Sequence, residues 1–213
     1  MSLRIGITQR VEVIADYDER RDCLDQQWFV LLEQLGLTPT PIPNGLKDVA
    51  QWLNAMALDG FILSGGNDLT HLPNSSCSAP ERDITETTIL AHAHEQRLPV
   101  LGVCRGLQMM NTWLGGDLVP VKGHVATRHP VNAVAGCTLF SPYTEVNSFH
   151  DWAIMETGLA EELQACLQSE DGTIEAARHR TQTWLAIMWH PERETPFTQA
   201  DITLITQLFK GNA

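Results

Sequence analysis

Leu98-Pro99-Val100-Leu101-Gly102-Val103-Cys104-Arg105-Gly106-Leu107-Gln108 decides how this chain folds. Leu98 to Val103 is a short apolar run that reads as a buried strand, and Leu107 to Leu114 carries apolar residues at helical spacing. Only Cys104 and its immediate neighbours separate the two. Strand, sharp turn and helix therefore follow one another directly, the order found where a parallel strand hands over to its crossover helix.

The flanking segments extend the same alternation. Leu3 to Thr8 predicts a first strand, and Tyr17 to Gly36 has apolar residues at helical spacing, with Gly36 ending that helix. Leu37 to Pro43 contains Pro39, Pro41 and Pro43, so it should be extended and lie near a sheet edge. Leu46 to Met56 reads as a short helix. Gly60 to Ser64 reads as a buried strand running into the turn Gly65-Gly66-Asn67-Asp68, and a loop continues to Pro80. A helix is expected over Glu81 to Arg97. Further on, strand-like runs occur at Thr138 to Phe140, Thr144 to Asn147, Ile174 to Ala177 and Trp184 to Trp189, and Thr198 to Phe209 closes as a helix. Alternating strands and helices predict an α/β fold, a three-layer sandwich with a mostly parallel central sheet. Residues 1–213 are read as one domain.

The chain has 213 residues, 43% hydrophobic and 19% charged, enough to bury one substantial core. Its formal net charge of -12 repels a phosphate backbone or an anionic membrane surface, which argues against nucleic acid and membrane as partners. The amino-terminal run is too short and interrupted for a signal peptide, and no apolar stretch approaches spanning length, so a cytoplasmic location is expected. Five scattered cysteines without a Cys-x-x-Cys pair speak against a disulfide framework or a zinc cluster. No metal and no cofactor is expected.

Glycines two positions before and two after Cys104 give the spacing of a nucleophile elbow. The following helix begins under the cysteine, and its positive end favours thiolate over thiol. Arg105 N–H would point at a developing oxyanion, and Gly66, after the neighbouring strand, is the candidate second donor. Alone, such a turn serves packing more often than catalysis.

A thiol nucleophile needs a base. His190 emerges at the end of the apolar strand Trp184 to Trp189, and Glu192, two residues on in extended chain, can reach the same side. Its carboxylate would set the imidazole tautomer and stabilise the imidazolium. His92 and His94 are two apart on a helix and face differently. His71, His124, His129 and His179 read as solvated loop or strand-end histidines. His150, in Val146-Asn147-Ser148-Phe149-His150, is as fit to line a pocket as to lie outside it.

Ser64 to Leu69, Glu81-Arg82-Asp83 with Glu86, Gly102 to Gln108, Val146 to His150 and His190-Pro191-Glu192, in that order, together resemble the class I glutamine amidotransferase-like superfamily, with its flavodoxin-like fold. Within it they are most similar to the γ-glutamyl hydrolases of peptidase family C26. The resemblance covers most of the chain. It implies a Cys-His-Glu triad of Cys104, His190 and Glu192 that forms a γ-glutamyl thioester and hydrolyses it to glutamate. It further implies an oxyanion hole at Gly66 and Arg105 and substrate binding by Gly65, Asn67, Gln108, Ser148 and His150. Arg82, Asp83 and Glu86 match a family motif that serves either support or substrate contact. Arg105 resembles the hydrolase group rather than partner-dependent amidotransferases. The alternatives are a glutaminase subunit that feeds ammonia to a partner synthase, a γ-glutamyl-γ-aminobutyrate hydrolase, and a non-catalytic binding protein of the same fold. The partner implied is a small γ-glutamyl molecule, and a homo-oligomer is compatible with all of these.

The stretches Ile7 to Arg10, Tyr17 to Trp28 and Pro43-Asn44 resemble a short subgroup associated with surface-polysaccharide (capsule) synthesis. Its best-defined type hydrolyses γ-glutamyl-CDP-amidate. On that reading Arg10, Arg20 and Arg21 either meet a diphosphate or form a solvated charged face.

Overall fold

A computed structural model describes residues 2–73, 75 and 77–211. The chain runs β1 (Arg4–Thr8), β2 (Arg10–Ile14), β3 (Glu19–Cys23), α1 (Gln27–Gln34), β4 (Thr38–Ile42), α2 (Val49–Met56), β5 (Gly60–Leu63), α3 (Pro80–Gln96), β6 (Val100–Val103) and α4 (Arg105–Trp113). It continues with β7 (Val119–Pro120), β8 (Val125–Ala133), β9 (Glu145–Phe149), β10 (Trp152–Ala153), β11 (Leu163–Ser169), β12 (Ile174–His179), β13 (Trp184–Ile187) and α5 (Gln199–Lys210).

Nine strands form the main sheet in the order β4-β1-β5-β6-β13-β12-β11-β8-β9. The first five are mutually parallel and the remaining four pair antiparallel. Strands β5, β6 and β13 are buried at every position, as expected of central strands covered on both faces. Proline-rich β4 takes the edge, where its missing N–H groups cost no ladder bonds. Helices α2, α3 and α4 pack in succession, while the carboxyl ends of α1 and α5 meet where Lys210 Nζ donates to the Leu35 carbonyl. The architecture is the anticipated layered α/β sandwich.

Two expected elements differ. The helix anticipated over Tyr17 to Gly36 begins only at Gln27; before it, β2 and β3 form an antiparallel hairpin that turns near Asp18, whose φ is 51°. Arg10-Val-Glu-Val-Ile14 alternates with period two and supplies a pairing partner for the polar run Glu19 to Cys23. Only Trp28, Leu31 and Leu32 give a buried helical stripe. Thr138–Phe140, expected as a strand, is a single 3₁₀ turn. Strands β8 and β11 went unread because β8 is largely polar and exposed and β11 is interrupted by bulged pairing. Of the loop expected between the Gly65-Gly66 turn and Pro80, residues 74 and 76 lie outside the described residues. Among the described residues no helix is long and apolar enough to cross a membrane.

Candidate active site

Three neighbouring strands, β5, β6 and β13, end at the same carboxyl edge in matched register, Leu63 beside Gly102 and Val103 beside Ile187. From these ends project Ser64-Gly65-Gly66, Cys104 and, three residues past β13, His190. Sheet topology thus gathers groups separated by more than a hundred residues of sequence.

Cys104 occupies the N-cap of α4 with φ 51° and ψ -102°, a conformation that costs a residue with a Cβ roughly 1–3 kcal/mol. Its N–H donates to the Ile187 carbonyl at 2.8 Å, which anchors the turn to β13. The flanking glycines are set by close approach. A Cβ at Gly102 would stand 2.8 Å from the Gly106 backbone, and one at Gly106 would collide with the Leu63 carbonyl. The helix therefore starts tight against the sheet with its amino end beneath the thiol.

His190 Nδ1 and Glu192 Oε1 are 2.7 Å apart, and both residues are buried. The carboxylate can only accept, so Nδ1 carries a proton, and Nε2 is buried without a hydrogen-bond partner among the described residues. Burial pulls the His190 proton affinity down, but the adjacent Cys104 thiolate and Glu192 outweigh it and raise the pKa to about 10. For Cys104, burial pushes the thiol up while His190 outweighs this, and the net value falls below the ordinary one. Opposite shifts of two neighbours are those of a thiolate–imidazolium pair.

Asn147 on β9, which sequence reasoning left as part of a motif, fixes this histidine's backbone. Its Oδ1 accepts from His190 N–H at 2.9 Å and its Nδ2 donates to the His190 carbonyl at 2.9 Å and to Glu194. Phe149 stacks edge-to-face on the imidazole at 5.7 Å, with the Arg193 guanidinium 4.1 Å above the phenyl ring.

Arg82 is fully buried and donates to the carbonyls of Ser64, Gly65 and Gly66. Gathering these carbonyls on one guanidinium fixes the orientation of the intervening peptide planes; Gly66 has φ 85°. Glu86 pairs with both Arg82 and Arg105 and accepts from Thr8 Oγ1 at 2.8 Å. The Arg105 side chain, also paired with Asp83, lies buried beneath the turn. The Arg-Asp-x-x-Glu motif is thus the support under the glycine turn.

The remaining sequence candidates bond within the chain, though His150 Nε2 makes no hydrogen bond among the described residues. Gln108 Nε2 and His150 Nδ1 both bond the Trp152 carbonyl, Ser148 Oγ donates to the His124 carbonyl, and the Asn67 amide clasps both backbone groups of Val11. A cavity of about 250 Å³ beside His190 is lined by Gly65, Gly66, Glu192, Arg193, Trp28 and Arg10. Arg20 and Arg21 pair with Glu81 and Glu19. The histidines expected to be solvated divide: His71 is exposed, but His124, just before β8, and His179, at the end of β12, are buried, and His129 within β8 is largely so.

The model of the peptidase C26 family matches residues 4–192. The chain belongs to that family. Among curated relatives, the γ-glutamyl-CDP-amidate hydrolase of Campylobacter jejuni is 34% identical over 93% of this chain and 94% of its own. The γ-glutamyl-γ-aminobutyrate hydrolase of Escherichia coli is 25% identical over 88% and 84%. The fold matches a proposed GMP synthase component from Thermoplasma acidophilum with a TM-score of 0.71 at 20% identity, over 99% of this chain and 94% of that one. The match to a glutamine amidotransferase from Thermotoga maritima scores 0.68 at 14% identity, over 99% and 85%.

Proposed function

We propose that this C26 protein is a cysteine hydrolase of γ-glutamyl amide-type bonds, with Cys104 as nucleophile, His190 as general acid and base, and Glu192 orienting the imidazole. The observation that carries this reading is the convergence of β5, β6 and β13, whose ends bear the glycine turn, the thiol and the His190–Glu192 pair. The Cys104 thiolate attacks the γ-carbonyl, and N–H groups of Gly66 and Arg105 stabilise the oxyanion. Collapse breaks the C–N bond, the leaving nitrogen takes the His190 proton, and a γ-glutamyl thioester remains. Water, deprotonated by His190, then attacks the thioester to release glutamate and return the thiol. The continuous core and single large sheet support reading residues 1–213 as one such domain.

The substrate we favour is γ-glutamyl-CDP-amidate, which yields glutamate and cytidine diphosphoramidate. The extent of similarity to the Campylobacter jejuni hydrolase supports it, and so do Arg10 and Arg193, two cations lining the cavity beside His190 where a diphosphate leaving group needs them. The test compares γ-glutamyl-CDP-amidate, γ-glutamyl-γ-aminobutyrate and glutamine with the wild type and Cys104→Ala. Expected is preferential glutamate release from the first, abolished in the variant. Preference for either other substrate overturns the choice of leaving group, and equal background rates in both proteins overturn the enzymatic reading.

A further inference from the structure

Beyond the thiol site, four side chains from distant segments converge: His124 just before β8, His129 within β8, His150 just after β9 and Glu175 on β12. One donor atom of each lies within 4.8 Å of all the others. His124, His150 and Glu175 are almost wholly buried, and the His129 side chain is 15% exposed.

Within the cluster the nearest approaches are long, Glu175 Oε1 standing 3.7 Å from Nε2 of both His129 and His150. His124 Nδ1, both ring nitrogens of His129, His150 Nε2 and Glu175 Oε2 are buried and make no hydrogen bond among the described residues. A buried polar group in that condition costs about 1–3 kcal/mol, and here several are concentrated in one place. Two of the tautomers are assigned by their partners. The Trp152 carbonyl, 3.0 Å from His150 Nδ1, accepts only, so the Nε2 lone pair is free. Asp171 Oδ2, 2.8 Å from His124 Nε2, likewise leaves the lone pair on Nδ1. Imidazoles whose far nitrogen is held by a carboxylate or a carbonyl are the usual arrangement behind a metal ligand.

We propose that His124, His129, His150 and Glu175 form a binding site for one divalent first-row transition ion, with zinc as the best fit. Three neutral imidazoles and one carboxylate match its preference for nitrogen and oxygen donors, whereas magnesium and calcium favour all-oxygen sets. Donors about 2.0–2.1 Å from a tetrahedral zinc stand about 3.3 Å apart, so the four groups must draw inward on binding. His129, the most exposed and without a hydrogen bond, is the one free to do so. The ion would tie the β8–β9 hairpin, at the end of the sheet, back to β12 across β11. That hairpin carries Asn147 and Phe149, which hold and cover His190.

The test uses the full chain as Cys104→Ser, so that the nucleophile cannot capture metal. After chelator stripping, calorimetric titration with Zn²⁺ should give one ion per chain, and Co²⁺ should give the visible absorption of a tetrahedral nitrogen–oxygen site. His129→Ala, which removes no hydrogen bond of the fold, should weaken Zn²⁺ binding at least tenfold. Asp171→Asn, which alters the carboxylate behind His124 while its Oδ1 position still accepts from Ser169 and Thr173, should weaken it about 10–100-fold. Absence of binding by the folded Cys104→Ser chain, or one-to-one binding unaltered by His129→Ala, overturns the proposal.

Discussion

Gly65 presses its α-carbon against the His190 imidazole so closely that a Cβ there would stand 2.5 Å from Cε1. The glycine turn and the histidine are therefore parts of one fitted surface. Gly65→Ala is expected to push the ring out of line with Cys104 while leaving the buried core untouched. Displacements of about 1 Å at a reacting centre can cost about 100-fold. Turnover should fall by about that factor with the melting temperature nearly unchanged; full activity would show that the ring has room to move.

Cys104 has a backbone conformation that suits glycine better than any residue with a Cβ. Cys104→Ala and Cys104→Gly should both be inactive. Of the two, the glycine variant should be more stable by about 1–3 kcal/mol, against the order of these residues in a helix interior and by more than the N-cap preference for glycine alone. Denaturant unfolding of the pair isolates the backbone contribution, because neither side chain retains the thiol.

The opposite shifts at Cys104 and His190 predict the shape of the pH profile. Acylation should rise as Cys104 loses its proton, below the ordinary thiol range, and fall as His190 loses its proton near pH 10. Replacing Glu192 by Gln removes one of the influences that hold His190 protonated. The alkaline limb should then move to lower pH, and turnover should drop by about 10²–10⁴. Alkylation rates of Cys104 across pH in both proteins measure the shift directly. An alkaline limb that stays in place would separate Glu192 from the imidazole.

Much of this site was legible because its decisive signals are local. The glycines around Cys104 are forced by contacts within a few residues or to the adjoining strand, and Glu192 reaches His190 across two positions. The hairpin of β2 and β3 was hidden because Glu19 to Cys23 has no apolar alternation, and its structure depends on pairing with Arg10 to Ile14. Asn147 holds His190 across 43 positions, and Arg82 reaches the glycine turn from α3; neither link has a local sequence signature. His124, His129, His150 and Glu175 meet only once β8, β9 and β12 are folded, so no spacing pattern announces them.

Under the Cys104 turn, Glu86 is buried between Arg82 and Arg105. Burial pushes its carboxyl up, but the two guanidinium groups outweigh this and hold it below the usual carboxylate value. A depressed folded pKa means that its contribution to stability is present above about pH 4.5 and is lost as the pH falls through the lower folded value. Glu86→Gln leaves two buried cations short of compensation and should cost about 3–5 kcal/mol. It should also flatten the acid side of the stability profile, which unfolding at several pH values will read.

Arg10 and Arg193 approach one cavity from opposite parts of the chain, one from the start of β2 and the other from the turn after His190. Arg10 is half-exposed and paired with Glu12 at 2.9 Å, so it can exchange that carboxylate for a phosphate with little rearrangement. The Arg10 guanidinium pairs with Glu12 and holds neither the thiol nor the imidazole. Replacing Arg10 by Ala should therefore raise KM for γ-glutamyl-CDP-amidate about tenfold or more, the equivalent of about 1.4 kcal/mol of lost phosphate contact. KM for γ-glutamyl-γ-aminobutyrate, which has no phosphate, should change little. Arg193→Ala should act in the same direction but also loosen Phe149 over His190, lowering kcat for both substrates. Equal effects of Arg10→Ala on the two substrates would remove the diphosphate from this end of the cleft.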